Sequence, residues 1–412
     1  MESLLLITQV GDAVFINSEI PYLVEKFNKI HVLRPGVYNS NDKIQDIPSK
    51  IYVNYINRKK NKVNKYISLF LILFTSAFYK ELRILIKKRE LSFMTLRTAI
   101  VFLINAIVFQ KDIKRILKCD NNISLIYTYW YSHETLSILL LKKHFPNIKF
   151  ITRTHRYDLY KSKDNSYYQP FKSWMDRNID KIYFISQHGY DYYLNEFSNS
   201  ESQKYITSRL GISNKYPFEL ENINETSDTL FVCSCSNILP VKRVHLIIEA
   251  LEKIDVIKIH WIHIGDGPEK GTIESIAAEL LHNKNNITYN FKGHMNNEQV
   301  MQFYSKNYFD CFISTSESEG LPVSMMEAIS FGFPIIAPAI CGIPEIVNNN
   351  TGILLNPDNC VEELKEALFR FSSMTTSEKR TLRKSCREYW EINYRAETQY
   401  SRFAEYLNSL IS

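Results

Sequence analysis

An α/β protein of two doubly wound parallel sheets is what this sequence predicts, and three observations carry the prediction. Short apolar segments alternate with helical ones through both halves of the chain, as they do where parallel strands are covered by helices. The chain is 412 residues long, with 45% hydrophobic and 23% charged residues, which suits a globular protein larger than most single domains. Between the halves, residues 213–228 (SNKYPFELENINETSD) are polar and rich in Asn, Glu and Ser, as an exposed linker should be. A first domain over 1–225 and a second over 226–389 are expected, followed by a terminal segment over 390–412.

In the first half, strands are expected at 4–9, 30–33, 50–54, 124–129, 149–154 and 181–186, with helices between several of them. In the second half, they are expected at 230–234, 258–264, 287–291, 309–314, 334–337 and 352–355, again with helices between. The terminal segment REYWEINYRAETQYSRFAEYLNSL is aromatic and helical in period.

Charge is divided unevenly, which the net +6 conceals. Residues 1–200 hold 30 Lys and Arg against 17 Asp and Glu, and the remainder holds 20 against 27. Residues 51–118 carry 15 basic residues against 3 acidic ones, around the apolar runs YISLFLILFTSAFY from Tyr66 and TAIVFLINAIVF from Thr98. A bilayer-spanning helix needs about 20 apolar residues, so both runs read as ordinary core helices or as interfacial ones. Each Lys or Arg near anionic lipid contributes about 1 kcal/mol, so attachment of the first domain to an anionic membrane surface is expected. Nucleic acid is not an expected partner, because no binding motif is visible and the aromatics lie within the apolar runs. Seven scattered cysteines without a CxxC pair suit a reduced, cytoplasmic protein. The start, MESLLLITQV, has no basic leader, so no signal peptide is expected. Peripheral attachment would then be to the inner face of the membrane.

The stretch STSESEGLPVSMMEAISFG, residues 314–332, carries the chemistry. Gly320 permits a tight turn, Pro322 has the fixed φ favoured at a helix start, and VSMMEAIS continues to a stop at Gly332. A helix start offers unpaired N–H groups and about half a positive charge, which favour a phosphate. Glu319 just before it and Glu327 just inside it are carboxylates suited to vicinal hydroxyls. That spacing fits a sugar, a diphosphate and a nucleoside; glutamates on a solvated helix face would look the same.

The surrounding residues decide between these readings. ESEGLPVSMMEAISFGFPIIAPAICGIPEIV resembles the donor-binding segment of glycosyltransferase family 4, retaining enzymes of the GT-B fold, in its Glu319 and Glu327, its Gly332 and Pro334, and its Gly342 and Glu345. TLFVCSCSNILPVKRVHLIIEALEKI resembles the family's first strand of the second domain and the loop with a phosphate-binding lysine, here Lys242. IKIHWIHIGDGPEKGTIESIA matches the Gly-Asp-Gly-Pro turn at residues 265–268, and ITYNFKGHMNNEQVMQFY the strand and turn near the base, at Gly293 and His294. FINSEIPYL is similar to the family's first helix, and the terminal segment to helices that cross back onto the first domain.

The resemblance implies a donor site in an interdomain cleft and a role for each residue. Glu319 would bind the sugar, Glu327 the ribose, and Gly320, Leu321 and Val323 the phosphates, with Lys242 neutralising the leaving diphosphate. His155, in ITRTHRYDLY, closes an apolar strand where α/β ligands bind, and the family places a histidine there near the reacting carbon. Most of the other histidines read as structural; His260 and His263 point to opposite faces of one strand and cannot share a metal. No Asp-x-Asp occurs, so no metal cofactor is expected and Lys242 and helix dipoles must serve. Two departures stand out. Where many members have an arginine five residues before the lysine, this chain has Asn237, and where many have a glycine pair after the first strand, it has only Gly11.

The expected function is a retaining, metal-independent transfer of a hexose from a nucleotide-diphosphate sugar to a hydroxyl of a lipid-linked bacterial surface glycan. In that family the leaving phosphate is thought to take the acceptor proton, which fits the lack of an obvious general base. The alternatives are a sugar-nucleotide epimerase on the same fold and a catalytically silent scaffold of a membrane glycan-assembly complex.

Overall fold

Strand β1, Ser3–Ile7, reads SLLLI and is buried along its whole length, the signature of a strand covered on both faces. It sits in the middle of a seven-stranded, all-parallel sheet with β2 (Lys29–Pro35), β3 (Ile51–Ile56), β4 (Ile123–Thr128), β5 (Lys149–Thr154), β6 (Lys181–Phe184) and β7 (Tyr205–Thr207). The order is β3-β2-β1-β4-β5-β6-β7, so the sheet reverses direction between β1 and β4. Strand β7 has three residues, too few to show a period in the sequence. The structure is a computed structural model that describes residues 2–9, 13–35, 49–56, 70–161, 168–198, 202–218 and 228–411. Gly11 and positions 66–69 of the first apolar run lie outside the described residues.

The second sheet has six parallel strands: β8 (Thr229–Cys235), β9 (Lys258–Ile264), β10 (Ile287–Phe291), β11 (Cys311–Ile313), β12 (Ile335–Pro338) and β13 (Gly352–Leu355). Its order, β10-β9-β8-β11-β12-β13, reverses between β8 and β11. Both sheets are therefore doubly wound, and each has a topological switch point where loops diverge and leave a crevice.

The chain divides into two units, Met1–Arg209 with Gln399–Ser412, and Leu210–Thr398. The division lies before the polar stretch at 213–228. Residues just after Arg209 are tied to the second unit: Ile212 exchanges backbone hydrogen bonds with the Tyr394 carbonyl and the Ala396 N–H, and Asn214 donates to the Ser330 carbonyl. The last helix, Ala396–Ser409, buries Phe403, Ala404 and Leu407 against the first sheet, beside Ile16, Ile20 and Leu23 of the helix Ala13–Lys26.

The second apolar run proves longer than twelve residues. It is part of the 27-residue helix Phe93–Cys119, which by length and composition alone is apolar enough to cross a membrane. Polar residues from Gln110 to Asp112 interrupt the run, but Ile113, Ile116 and Leu117 continue the buried face begun by Ala99, Leu103 and Ala106. Those positions recur at helical spacing and belong to the core of the first unit. A capping box starts the helix: Ser92 Oγ accepts from the Thr95 N–H at 3.1 Å, and Thr95 Oγ1 accepts from the Ser92 N–H at 2.9 Å.

Beneath the last helix lies a buried ion pair. Arg153 Nη1 donates to Glu19 Oε2 at 2.6 Å, and the guanidinium sits 4.0 Å from the ring centre of Phe403. Removing one partner of such a pair strands the other charge, so Glu19→Ala should cost about 3–5 kcal/mol in chemical denaturation, and Glu19→Gln, which keeps an acceptor, should cost less.

Candidate active site

The switch point of the second unit lies between β8 and β11, and the loops that follow them carry the residues of interest. After β8, Pro240 sets up a short helical turn, Pro240–Lys242, which ends at Arg243 in the left-handed region with φ 47°. After β11, residues 314–322 run to the helix Val323–Ser330, with Pro322 as its cap and Gly332 leaving it at φ 72°. Pro322 thus stands one position before the first helical residue.

Four sets of bonds sew these loops together. The Glu317 N–H donates to the Val241 carbonyl at 2.8 Å, and Arg243 Nε donates to the Thr315 carbonyl at 2.9 Å. Thr315 Oγ1 donates to the carbonyls of Lys242 and Arg243, at 3.0 and 2.9 Å. Across the seam, Lys242 Nζ meets Glu319 Oε1 at 2.5 Å, with the side chains 23% and 12% exposed. The pair is sheltered yet open on one side, as a ligand-binding pair needs to be. Gly320 and Leu321 are buried in the turn that follows, and Val323 opens the helix.

Glu327 sits one turn into that helix and is 5% exposed. Burial pushes its carboxyl up to about 8, and the Asn297 amide, which donates to Oε1, pulls in the opposite direction. Glu327 is therefore largely protonated in the free protein near neutral pH and can donate as well as accept. This differs from the ionised carboxylate expected from the sequence, and the reason is burial. Cys235, at the end of β8, is near enough that Glu327 adds to burial in pushing its thiol up to about 12.

A third loop brings up the Gly-Asp-Gly-Pro turn at residues 265–268. A Cβ at Gly265 would stand 1.8 Å from the Ser236 carbonyl oxygen and one at Gly267 2.3 Å from that of Ile238, so both positions require glycine. The Gly265 N–H donates to the Gly293 carbonyl at 2.9 Å, drawing the turn after β10 against the turn after β9. Gly293 has φ 69°, His294 is exposed, and Asn297 begins the next helix, Asn297–Lys306. The exposed Asn237 shares the loop of Lys242 and brings no charge. The structure thus gathers Lys242, Asn237, Gly293, His294, Glu319, Gly320, Leu321, Val323 and Glu327 on the loops and helix start beyond the carboxyl edge of one sheet.

His155 belongs to the first unit. It follows β5, and its ring lies 4.7 Å from that of Tyr129 and 4.6 Å from that of Trp130. Its Nε2 is 3.1 Å from the Tyr129 carbonyl, while burial and then Arg153 hold its pKa down to about 3. The imidazole is neutral. Asp158 accepts from the N–H groups of His155 and Tyr131, both at 2.6 Å, clamping the ends of β5 and β4 together.

The family described as glycosyl transferases group 1 matches residues 217–389. The chain is similar to the sulfoquinovosyl transferase SQD2 of Arabidopsis thaliana, 31% identical over 134 residues, which is 31% of this chain and 24% of that protein. The second unit thus carries the match to the group 1 glycosyltransferases over most of its length. The chain is also similar to the putative colanic acid biosynthesis glycosyltransferase WcaL of Escherichia coli K12, 23% identical over 216 residues, or 50% of this chain and 52% of WcaL. The matches thus span about a quarter and about half of these relatives. In fold, a glycosyltransferase from Rickettsia africae aligns with 100% of this chain and 99% of its own, with a TM-score of 0.71 at 18% identity. The chain therefore has two Rossmann-like domains in the GT-B manner.

Two residues of this candidate site escape a reading of its sequence. Asn297 looks like one more polar residue in MNNEQ, and its bond to Glu327 spans 30 positions. Thr315 holds the lysine loop through its hydroxyl, which nothing in STSES distinguishes from its neighbours.

The raised carboxyl of Glu327 gives a pH signature. A buried acid whose folded pKa lies above its unfolded value stabilises the fold fully below about pH 4.5, and that contribution is lost as pH rises through about 8. Thermal melts of wild type and Glu327→Gln should therefore diverge between about pH 5 and about pH 8, the wild type losing ground to the neutral, isosteric variant as pH rises.

Proposed function

We propose that the chain is a retaining, metal-independent hexosyltransferase that moves a sugar from a nucleotide-diphosphate donor to a hydroxyl of a lipid-linked glycan at the cytoplasmic face of a membrane. The observation that carries this reading is the Lys242–Glu319 pair beside the start of the helix Val323–Ser330. A cation, a carboxylate and a helix N-terminus meet there at a switch point, where a sugar diphosphate has both its charge and its hydroxyls satisfied.

Each residue then has one task. The donor diphosphate takes over the ammonium of Lys242, and the helix start adds backbone N–H groups and a positive dipole end. Glu319, released from Lys242, accepts from the hydroxyls of the sugar. Glu327 and Asn297 face the ribose as a joint acceptor and donor, and the turn at Gly293 and His294 lies beside the base. As the glycosidic bond breaks, charge grows on the leaving diphosphate oxygen, and Lys242 stabilises it more in the transition state than in the ground state. The same phosphate accepts the acceptor's proton on the face it leaves, which gives retention. His155, a neutral imidazole of the first unit, is the histidine to which the family resemblance gives a role at the sugar. With no Asp-x-Asp in the chain, these cations and dipoles carry the diphosphate charge. The name of WcaL, a colanic acid biosynthesis glycosyltransferase, supports a surface glycan as acceptor.

A thermal-shift screen of UDP-, GDP- and ADP-sugars with EDTA present tests the donor site. Ligand at a hundred times its Kd adds about 2.7 kcal/mol, so one nucleotide class should raise the Tm, and Glu319→Ala should weaken the shift. No shift with any donor contradicts the reading, and turnover of donor without acceptor points to the epimerase. With the donor in hand, Lys242→Ala should lower kcat/KM by about a hundredfold to a thousandfold, as losing one preorganised donor does, and NMR of the first product should show the donor's anomeric configuration. Unchanged turnover would remove Lys242 from the site.

A further inference from the structure

Of the sixteen large apolar side chains exposed among the described residues, ten lie between Phe70 and Val101. They follow the two helices Ser76–Lys88 and Phe93–Cys119 and the segment just before them. The first helix buries Ala77, Glu81 and Leu85 against the unit, so its opposite face carries Tyr79, Lys80, Arg83, Ile86 and Lys87 outward. At one end, Phe70 and Phe74 stand 62% and 73% exposed, with rings 5.3 Å apart. At the other, the turn between the helices presents Leu91, Phe93 and Met94, with Phe93 85% exposed. Thirteen helical residues separate these ends, a strip about 20 Å long.

Charge along the strip has one sign. Lys80, Arg83, Lys87, Lys88, Arg89 and Arg97 are all exposed. The acids between positions 70 and 101 are Glu81 and Glu90. Glu81 is turned inward, accepting from the Tyr168 hydroxyl and the Phe171 N–H, and Glu90 pairs with Lys161 at 3.7 Å. A protein partner's surface usually mixes signs, whereas a sheet of anionic headgroups over hydrocarbon matches aromatic and aliphatic side chains interleaved with cations. Both helices keep one face in the core, so a bilayer would meet the strip side-on.

We infer that this helical hairpin docks the protein on an anionic lipid bilayer, with Phe70, Phe74, Phe93 and Met94 entering the headgroup region and the six cations holding the lipid phosphates. The inference rests on the proposed function only in that a lipid-linked acceptor would lie in the same membrane; the docking itself needs neither donor nor acceptor.

Co-sedimentation with vesicles of phosphatidylcholine, alone or mixed with phosphatidylglycerol, tests it. The full chain should pellet with the mixed vesicles and bind the neutral ones at least about tenfold more weakly, since several cations each favour anionic lipid. Phe74→Ser with Phe93→Ser should lower affinity for mixed vesicles by about tenfold or more with an unchanged melting temperature, because both side chains are exposed. Lys87→Glu with Lys88→Glu should erase the preference for the anionic lipid. Wild type that ignores mixed vesicles, or a phenylalanine pair that binds as wild type does, overturns the inference. So does a wild-type dimer that ignores vesicles and that the phenylalanine pair dissolves, which would make the strip a protein interface. None of these outcomes alters the donor thermal shift, so failure here leaves the proposed function standing.

Discussion

The seam between the loops after β8 and β11 is the contact on which the candidate site depends. Lys242 and Glu319 are 77 positions apart, on flexible side chains that would gain little from a solvated pairing. What holds them is backbone: Glu317 to Val241, and Thr315 and Arg243 to each other's loops. These bonds form because the sheet reverses at this point and both loops leave strands that are neighbours. The close approach of Gly265 to Ser236 adds the turn after β9 to the same assembly. The ion pair is a result of that architecture; under the proposed function a diphosphate would replace one of its halves and leave the backbone bonds in place.

Burial is used differently in the two units. In the first, Arg153 and Glu19 are enclosed beneath the terminal helix, where the guanidinium also meets the ring of Phe403. Such a pair is weak evidence of net stabilisation, although removing one partner strands the other charge. In the second, Glu327 is enclosed without a cation, so its proton stays on and the carboxyl remains ready for a hydroxyl-bearing ligand. Near the mouth of the site, Lys242 and Glu319 keep part of their surface in water, and their pairing is exchangeable.

Most of the architecture was legible because parallel strands buried on both faces announce themselves as continuous apolar runs. SLLLI and CFI show this, and the bounds expected at 149–154 and 258–264 match β5 and β9 residue for residue. The three-residue β7 carries no such period. The helix Phe93–Cys119 was underestimated because composition is interrupted at Gln110 to Asp112 while the buried face is not. Within the candidate site, Glu319, Glu327, Lys242 and the Gly265 turn stood out through the resemblance of their segments to a known family, spacing alone leaving the two glutamates undecided. Asn297 and Thr315 did not, since their roles come from contacts that span 30 positions and 72 or 73 positions of chain and leave no local pattern. The protonation of Glu327 was hidden for the same reason: it depends on what encloses the side chain.

The central claim is that Lys242 holds the diphosphate while Glu319 holds the sugar. Calorimetry of a bare nucleoside diphosphate and of the matching nucleotide sugar, against wild type, Lys242→Ala and Glu319→Ala, separates the two roles. The account predicts that Lys242→Ala weakens both ligands, whereas Glu319→Ala weakens the nucleotide sugar and leaves the nucleoside diphosphate bound as tightly as in wild type or more so. Undiminished binding of the nucleoside diphosphate by Lys242→Ala would contradict it.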